Sequence, residues 1–403
     1  MEWMRDKALG IYISIPFCRS KCTYCNFASG VYPASDHALY VNRLVEDLAQ
    51  AGEWAAGMGV DLPRQVDTIY LGGGTPSLLA PELIERLFAG LRKEFDVERE
   101  AEITVECAPG QLAQPTLNAM VTAGVNRVSL GVQSFIDKEA HESGRLHGRA
   151  VVLADLERLR AAGILNVNMD LIAGLAGQTL ASWEESLGVL VGCGVPHASV
   201  YMLEVDEDSR LGREMLAGGM RYHAGLVPSD DTIARMYETA VERLAGAWLD
   251  QYEISNFARP GYESRHNLRY WKRRAYLGVG LDASSMLEGR NGDVLRAKTS
   301  DDLKAYLSRN EWVDTEWEGP ERQHEEAWFL GLRTNAGVEI AELEQEFGSA
   351  MVTPARQTAA RLVQAELLDF KDGWYRLTPH GRLLSNDVFQ EFLAEPASAV
   401  QRA

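Results

Sequence analysis

The stretch Ile11-Tyr-Ile-Ser-Ile-Pro-Phe-Cys-Arg-Ser-Lys-Cys-Thr-Tyr-Cys25 runs from a short apolar, β-branched segment straight into three clustered cysteines. Five later segments repeat its first half: Asp67–Leu71, Glu102–Glu106, Arg127–Gly131, Asn166–Ile172 and Ser199–Leu203. Each is rich in β-branched or apolar residues and lies far enough from the next to leave room for a helix, as buried parallel strands require. Helical spacing fills the gaps. After Asp36, an expected N-cap, Val41, Leu44, Val45 and Leu48 recur at i, i+3, i+4 and i+7. Leu180, Trp183, Leu187 and Leu190 do the same, as do Ile233, Met236, Ala240 and Leu244. Six βα repeats predict an α/β chain. A parallel barrel or open half-barrel, with its chemistry at the C-terminal strand ends, fits the pattern, and so does a doubly wound sheet.

From about Tyr252 the repeat gives way to loop-like sequence, Phe257-Ala-Arg-Pro-Gly-Tyr262, and a dense polar-aromatic run. The end reads as a separate module. Glu325–Leu332, Ile340–Phe347 and Pro354–Leu367 have helical spacing, Leu368–Leu377 reads as a hairpin turning at Asp372-Gly373, and Gly381–Leu393 as a last helix. Three helices and a hairpin resemble a winged helix, expected to pack on the barrel as a lid. The expected divisions are a barrel over 1–250, a connecting segment over 251–320 and the terminal module over 321–403.

Composition narrows the function. Asp and Glu outnumber Lys and Arg by 58 to 40, a net charge of −18. Phosphate contacts are made by Lys and Arg, so this balance argues against a nucleic-acid partner. No apolar run reaches membrane-spanning length, and Met1–Lys7 is charged rather than leading into a signal-peptide core, so a cytoplasmic location is expected. Five cysteines, three of them clustered, make a poor disulfide framework and a good metal or cluster site, which also suits a reducing compartment.

The C-x₃-C-x₂-C loop of Cys18, Cys22 and Cys25 offers soft thiolate ligands suited to an iron–sulfur cluster or to zinc. A closed zinc site wants a fourth ligand, for which His37 is the nearest candidate. Three ligands alone leave one metal position open for chemistry. Cys107 and Cys193 read as small buried residues.

Further segments accompany this loop: Leu71-Gly-Gly-Gly-Thr-Pro76, Val105-Glu-Cys-Ala-Pro109, Leu130-Gly-Val-Gln-Ser-Phe135, Gly144-Arg-Leu-His147 and Asn168-Met-Asp-Leu-Ile-Ala-Gly174. Together with the cysteine spacing they resemble the radical S-adenosylmethionine (SAM) superfamily, in its oxygen-independent coproporphyrinogen oxidase-like branch. The resemblance implies a partial (β/α)6 barrel of the TIM type with a terminal winged-helix-like module. It further implies a [4Fe-4S] cluster on Cys18, Cys22 and Cys25, whose fourth iron is chelated by SAM. Gly73, Gly74 and Thr75 would meet the methionine part of SAM, with glycine permitting close approach. Tyr12 and Tyr24 would flank the cofactor, and Glu106, Gln133, Arg145 and Asp170 would hold the rest of it. The ordinary readings are that Glu106 and Asp170 cap helices and that Arg145 is a surface charge.

Two departures separate the chain from the porphyrinogen-oxidising members of that branch. Phe27 stands where they carry a further cysteine, and only about ten residues precede the first strand. His266-Asn267 through Tyr270-Trp271 instead matches the H-N-x-x-Y-W pattern of HemW-type heme chaperones. That resemblance implies a heme carrier serving acceptor proteins, with His266, Asn267, Tyr270 and Trp271 at the heme; imidazole is a common axial ligand and aromatic rings can cover a porphyrin face. The ordinary reading makes His266 a structural histidine and Tyr270 and Trp271 core. The alternative function is a radical SAM enzyme acting on a tetrapyrrole; porphyrinogen oxidation is not expected.

Overall fold

The computed structural model describes residues 8–308 and 312–393, so the Met1–Lys7 segment lies outside the described residues. All six expected strands are present: β1 Leu9–Ile15, β2 Gln65–Gly73, β3 Asp96–Cys107, β4 Arg127–Gln133, β5 Asn166–Ala173 and β6 His197–Met202. They lie side by side in sequence order and are parallel throughout. The first connecting helix, Ala34–Gly57, starts just after Pro33, so Asp36 sits in its first turn instead of at the N-cap, where its charge still favours the helix dipole.

Period-two alternation along the strands separates barrel from doubly wound sheet. Ile11, Ile13, Ile69, Leu71, Ile103, Val105, Val128 and Leu130 share one core with Val41, Leu44 and Leu48 of the first helix. The alternate positions are buried but polar. Thr68, Thr104, Ser129, Asn168, His197 and Ser199 face a common interior, where Asn168 bonds Ser129 at 2.7 Å, Ser199 at 3.0 Å and His197 at 2.7 Å. A sheet sandwiched by helices would be apolar on both faces; one apolar and one polar face make a barrel wall around a polar lumen.

The expected connecting segment, 251–320, supplies strands that extend this sheet at both edges. β7 Asp250–Glu253 and β8 Asn256–Ala258 continue beyond β6, so Phe257-Ala258 is strand where its sequence reads as loop. β9 Tyr276–Gly280 runs parallel to β1 on the other edge, and β10 Ser284–Glu288, β11 Val294–Lys298 and β12 Asp314–Glu318 add an antiparallel meander. The terminal module has its own core around Trp328, Leu332, Leu343, Val352, Leu362 and Tyr375. Its helices are Pro320–Arg333, Ile340–Phe347 and Ser349–Gln364, and the hairpin turns at Asp372-Gly373 with both φ values positive. The expected last helix breaks at Leu384 into Pro379–Leu383 and Ser385–Gln390.

Two features position the site. At the C-terminal end of β2 the Gly74 and Thr75 amides donate to the carbonyls of Ile15 and Phe17, each at 2.8 Å, fastening the glycine turn to the root of the cysteine loop. A Cβ on Gly74 would stand 2.7 Å from the Ile15 oxygen and 2.9 Å from that of Phe17. Glycine is therefore required here for the loop's close approach, a different reason from the cofactor contact expected from sequence. Gly73, at φ +94°, takes the left-handed turn itself.

The second feature is a plug. The helix Arg265–Trp271 lies across the N-terminal end of the barrel, its first amides capped by Glu102 of β3 at 3.1 Å from Arg265 and 3.0 Å from His266. Arg269 pairs with Asp67 of β2 and donates to the carbonyls of Ala8 and Ala275. His266 is wholly buried, Nδ1 bonded to the Thr68 hydroxyl at 3.0 Å and Nε2 to the Tyr270 hydroxyl at 2.8 Å. Burial holds its pKa down at about 3, so the ring is neutral.

Gly74→Val should therefore disturb the cysteine loop itself, lowering thermal stability and the iron content after reconstitution together. Full iron content in that variant would show that the turn yields without moving the loop. His266→Ala strands two hydroxyls and opens a cavity, and should cost about 2–4 kcal/mol in denaturant unfolding. Wild-type stability would mean the plug is not held by this histidine.

Candidate cofactor and cluster site

The cysteine loop leaves the C-terminal end of β1 and is tied down on all sides. The Cys18 amide donates to Gly30 O at 2.8 Å and the Thr23 amide to Ser143 O at 3.1 Å. The Lys21 ammonium reaches the carbonyls of Phe27 and Ser29, and a Cβ on Gly144 would come within 3.1 Å of the Cys22 Cα. Each sulfur has a polar neighbour of its own. Thr75 Oγ1 stands 3.8 Å from Cys18 Sγ, Arg145 Nη1 3.5 Å from Cys22 Sγ, and Ser29 Oγ 3.9 Å from Cys25 Sγ. Burial raises the Cys18 thiol pKa.

Among the described residues no group of three or more His, Cys, Asp or Glu is gathered tightly enough to hold a single metal ion. His37, the expected fourth ligand of a zinc site, is instead stacked on Phe17 with ring centroids 3.9 Å apart. Three soft thiolates with hydrogen-bond donors at their sulfurs fit a multi-iron cluster, whose properties such bonds tune.

The loop opens into a cleft over the strand ends. Cys18, Cys22, Tyr24 and Cys25 line it together with Gly73, Gly74, Thr75, Glu106, Gln133, Arg145 and Asp170. The structure thus brings the cysteines and all but one of the expected SAM residues into one place. The exception is Tyr12, one level deeper in the lumen, where it packs against Tyr70 with centroids 6.2 Å apart. Glu106 and Asp170 are not helix caps. The Tyr70 hydroxyl donates to Glu106 at 2.9 Å, and Asp170 accepts from Ser129 at 3.0 Å and Asn168 at 2.6 Å. Burial first, then the neighbouring Asp170 charge, pushes the Glu106 carboxyl up to about 7. Arg145 is no surface charge: it reaches Gly131 O as well as Cys22, and its Nε is buried without a partner. A half-buried guanidinium with one unpartnered nitrogen, beside two half-buried carboxylates, is a site prepared for a charged, polar ligand.

His266, Asn267, Tyr270 and Trp271 do not join this cleft. They belong to the plug at the other end of the lumen, and in this conformation His266 has no ring nitrogen free for iron. Trp271 lies under the Arg333 guanidinium at 4.2 Å, facing the terminal module. The cleft also contains residues that sequence reasoning missed, among them Arg19, Lys21, Ser29 and Ser129. For Ser129 a signal exists, a polar residue at every second position of an otherwise apolar strand. Arg19 and Lys21 lie inside the cysteine motif itself. Cys107 and Cys193 are buried, as expected.

Comparison with known proteins agrees with this architecture. The radical SAM superfamily profile matches residues 12–190, and that of the HemN C-terminal domain matches residues 320–384. The chain is 34% identical over 390 residues to the heme chaperone HemW of Bacillus subtilis, covering 95% of this chain and 99% of the relative. It is 32% identical over 395 residues to that of Lactococcus lactis (97% and 99% covered) and 31% identical over 395 residues to that of Escherichia coli (96% and 98%). In fold it resembles the coproporphyrinogen III oxidase of Escherichia coli, described as a radical SAM enzyme, with a TM-score of 0.81 at 22% identity over 96% of this chain and 90% of the other. Near-complete coverage at these identities, on a radical SAM barrel with its cysteine loop and terminal module in place, shows that the chain belongs to the HemW heme chaperone family of radical SAM proteins.

Proposed function

We propose that this protein binds a [4Fe-4S] cluster through Cys18, Cys22 and Cys25, holds SAM in the cleft above it, and carries heme to acceptor proteins. One observation supports the cofactor part most directly: three thiols on one fastened loop open into a cleft lined by half-buried polar side chains. The heme part rests on the family to which the chain belongs. Bound together, the cluster and SAM supply one-electron chemistry at the strand ends.

The chain's own residues do the positioning. Thr75, Arg145 and Ser29 direct hydrogen-bond donors at the sulfurs, which stabilises them as thiolates. Tyr24, Gln133 and Arg145 border the cleft. Glu106 and Asp170 give it negative charge, matched to a ligand carrying a sulfonium. On this reading the H-N-x-x-Y-W segment closes the base of the barrel and does not hold the iron. Phe27, in place of a further cysteine, is largely exposed at the cleft rim.

Replacing Cys18, Cys22 or Cys25 by Ala should abolish the intact cluster, seen as loss of bound iron and of absorbance near 400 nm, while Cys107→Ala and Cys193→Ala keep it. A Cys22→Ala protein with full iron content would refute the assignment. SAM affinity should rise roughly three- to tenfold from pH 6 to pH 8, because the raised Glu106 carboxyl loses its proton through about pH 7 and the anion attracts the cation. Glu106→Gln should flatten that dependence; an unchanged profile by calorimetry would remove Glu106 from the site. The carrier function is tested by transfer of bound heme to an apo-acceptor. Conversion of coproporphyrinogen to protoporphyrinogen with turnover would establish the enzymatic alternative instead.

A further inference from the structure

The heme-carrier reading leaves open where the iron is held, and the histidines narrow it by elimination. Of the eight, His147, His197, His266 and His324 are buried with at least one ring nitrogen bonded inside the fold, His147 through Nε2 alone. His37 is half-buried against Phe17. Three remain exposed: His141, His223 and His380. His141 sits among Lys138, Glu139 and Glu142 on a short polar helix, and His380 belongs to the terminal module.

His223 has a different setting. It lies in the segment Asp206–Pro228, which is strapped over the rim of the cleft. The Leu211 amide donates to Thr23 O at 2.8 Å, Arg210 to Lys21 O at 3.2 Å, and Asn26 to Asp206 at 2.8 Å, all on the cysteine loop. At its other end Gly177 N bonds Leu226 O at 2.8 Å, beside the loop that follows β5. Within this strap Met215, Leu216, Met220, Tyr222 and Leu226 are 36–78% exposed, a concentration of apolar surface that a polar acidic protein would otherwise cover. Tyr222 and His223 are both left-handed, at φ 55° and 57°, a strained pair that turns the chain with both side chains exposed. The His223 Nε2 stands 3.7 Å from a Glu142 oxygen, close enough for the carboxylate to orient the ring. Arg213 and Arg221 are exposed in the same strap; of its acidic residues, Asp206, Glu207 and Asp208 lie at its start and Glu214 accepts from the Arg221 amide at 3.0 Å.

This combination matches one kind of ligand: a flat apolar ring carrying a metal and two carboxylates. We propose that the strap Asp206–Pro228 is the heme-docking surface, with His223 as axial ligand to the iron, the exposed Met and Leu side chains against the porphyrin face, and Arg213 and Arg221 at the propionates. The inference rests on the heme-carrier reading and adds its location. Ligation forms a bond from a neutral imidazole nitrogen to ferric iron and displaces water; no electron moves.

The experiment is hemin titration of the full cluster-loaded chain, followed in the Soret band, with thermal midpoint and iron content measured on the same samples. Wild-type protein should take up one hemin per chain; failure to do so would overturn the carrier reading and this one with it. His223→Ala should shift the Soret maximum and weaken binding at least tenfold, with thermal midpoint and cluster iron unchanged. Wild-type spectrum and affinity in His223→Ala, beside a wild type that binds, would overturn the docking proposal alone. So would a folded His266→Ala protein in which the iron signature is lost instead. Leu216→Glu combined with Met220→Glu should weaken hemin binding as well. If that variant binds hemin normally and fails only in transfer, the strap contacts the acceptor protein and the proposal fails.

Discussion

Two hydrogen bonds, from the amides of Gly74 and Thr75 to the carbonyls of Ile15 and Phe17, tie the site to its scaffold. They join the ends of adjacent parallel strands just where β1 stops and the cysteine loop begins. A loop rich in thiols has little apolar surface with which to hold itself. Its conformation is therefore borrowed from backbone partners, Gly30, Ser143 and the glycine turn, and from Gly144, whose missing side chain lets the next loop close on Cys22. Ordering the loop costs conformational entropy, which these backbone bonds help to offset. Glycine is dictated at Gly74 by the absence of room, a constraint on the scaffold that precedes any constraint from a ligand.

The barrel and the cleft were legible in the sequence because their signals are periodic and dense. Six β-branched runs, each followed by helical spacing, place the strands within a few residues, and the motifs fall at their C-terminal ends. The edges of the sheet were not legible. β8 has three residues and β9, Tyr-Leu-Gly-Val-Gly, contains two glycines, so neither carries enough propensity to stand out from loop. Both are strands because a barrel edge beside them offers unpaired backbone groups, a tertiary cause with no local trace. The depth of a residue was equally hidden. Tyr12 shortly precedes the cysteines and Tyr24 lies among them, but of the two only Tyr24 lines the cleft.

His266 shows the same limit more sharply. Its motif is unmistakable in the chain, but whether an imidazole meets solvent or a hydroxyl depends on Thr68, nearly two hundred residues away. Glu102 and Asp67, which cap and anchor the helix carrying it, are equally remote. A buried neutral imidazole bonded at both nitrogens fixes a helix in place without placing a charge in the lumen, whereas Arg269 needs Asp67 and two carbonyls to be buried beside it. Polar residues that look like ligands in sequence here form the joinery of a closed base.

That closed base makes the barrel a vessel that opens toward the cysteine loop. Ser264, His266 and Arg269 seal the opposite end, so an occupant of the cleft rests between that base and the cysteine loop. Occupants of such a vessel are stacked in order: the lowest must be loaded first and cannot depart while something sits above it. A flat cargo resting across the rim would then act as a stopper, so that exchange of the small cofactor beneath and delivery of the cargo above become successive events.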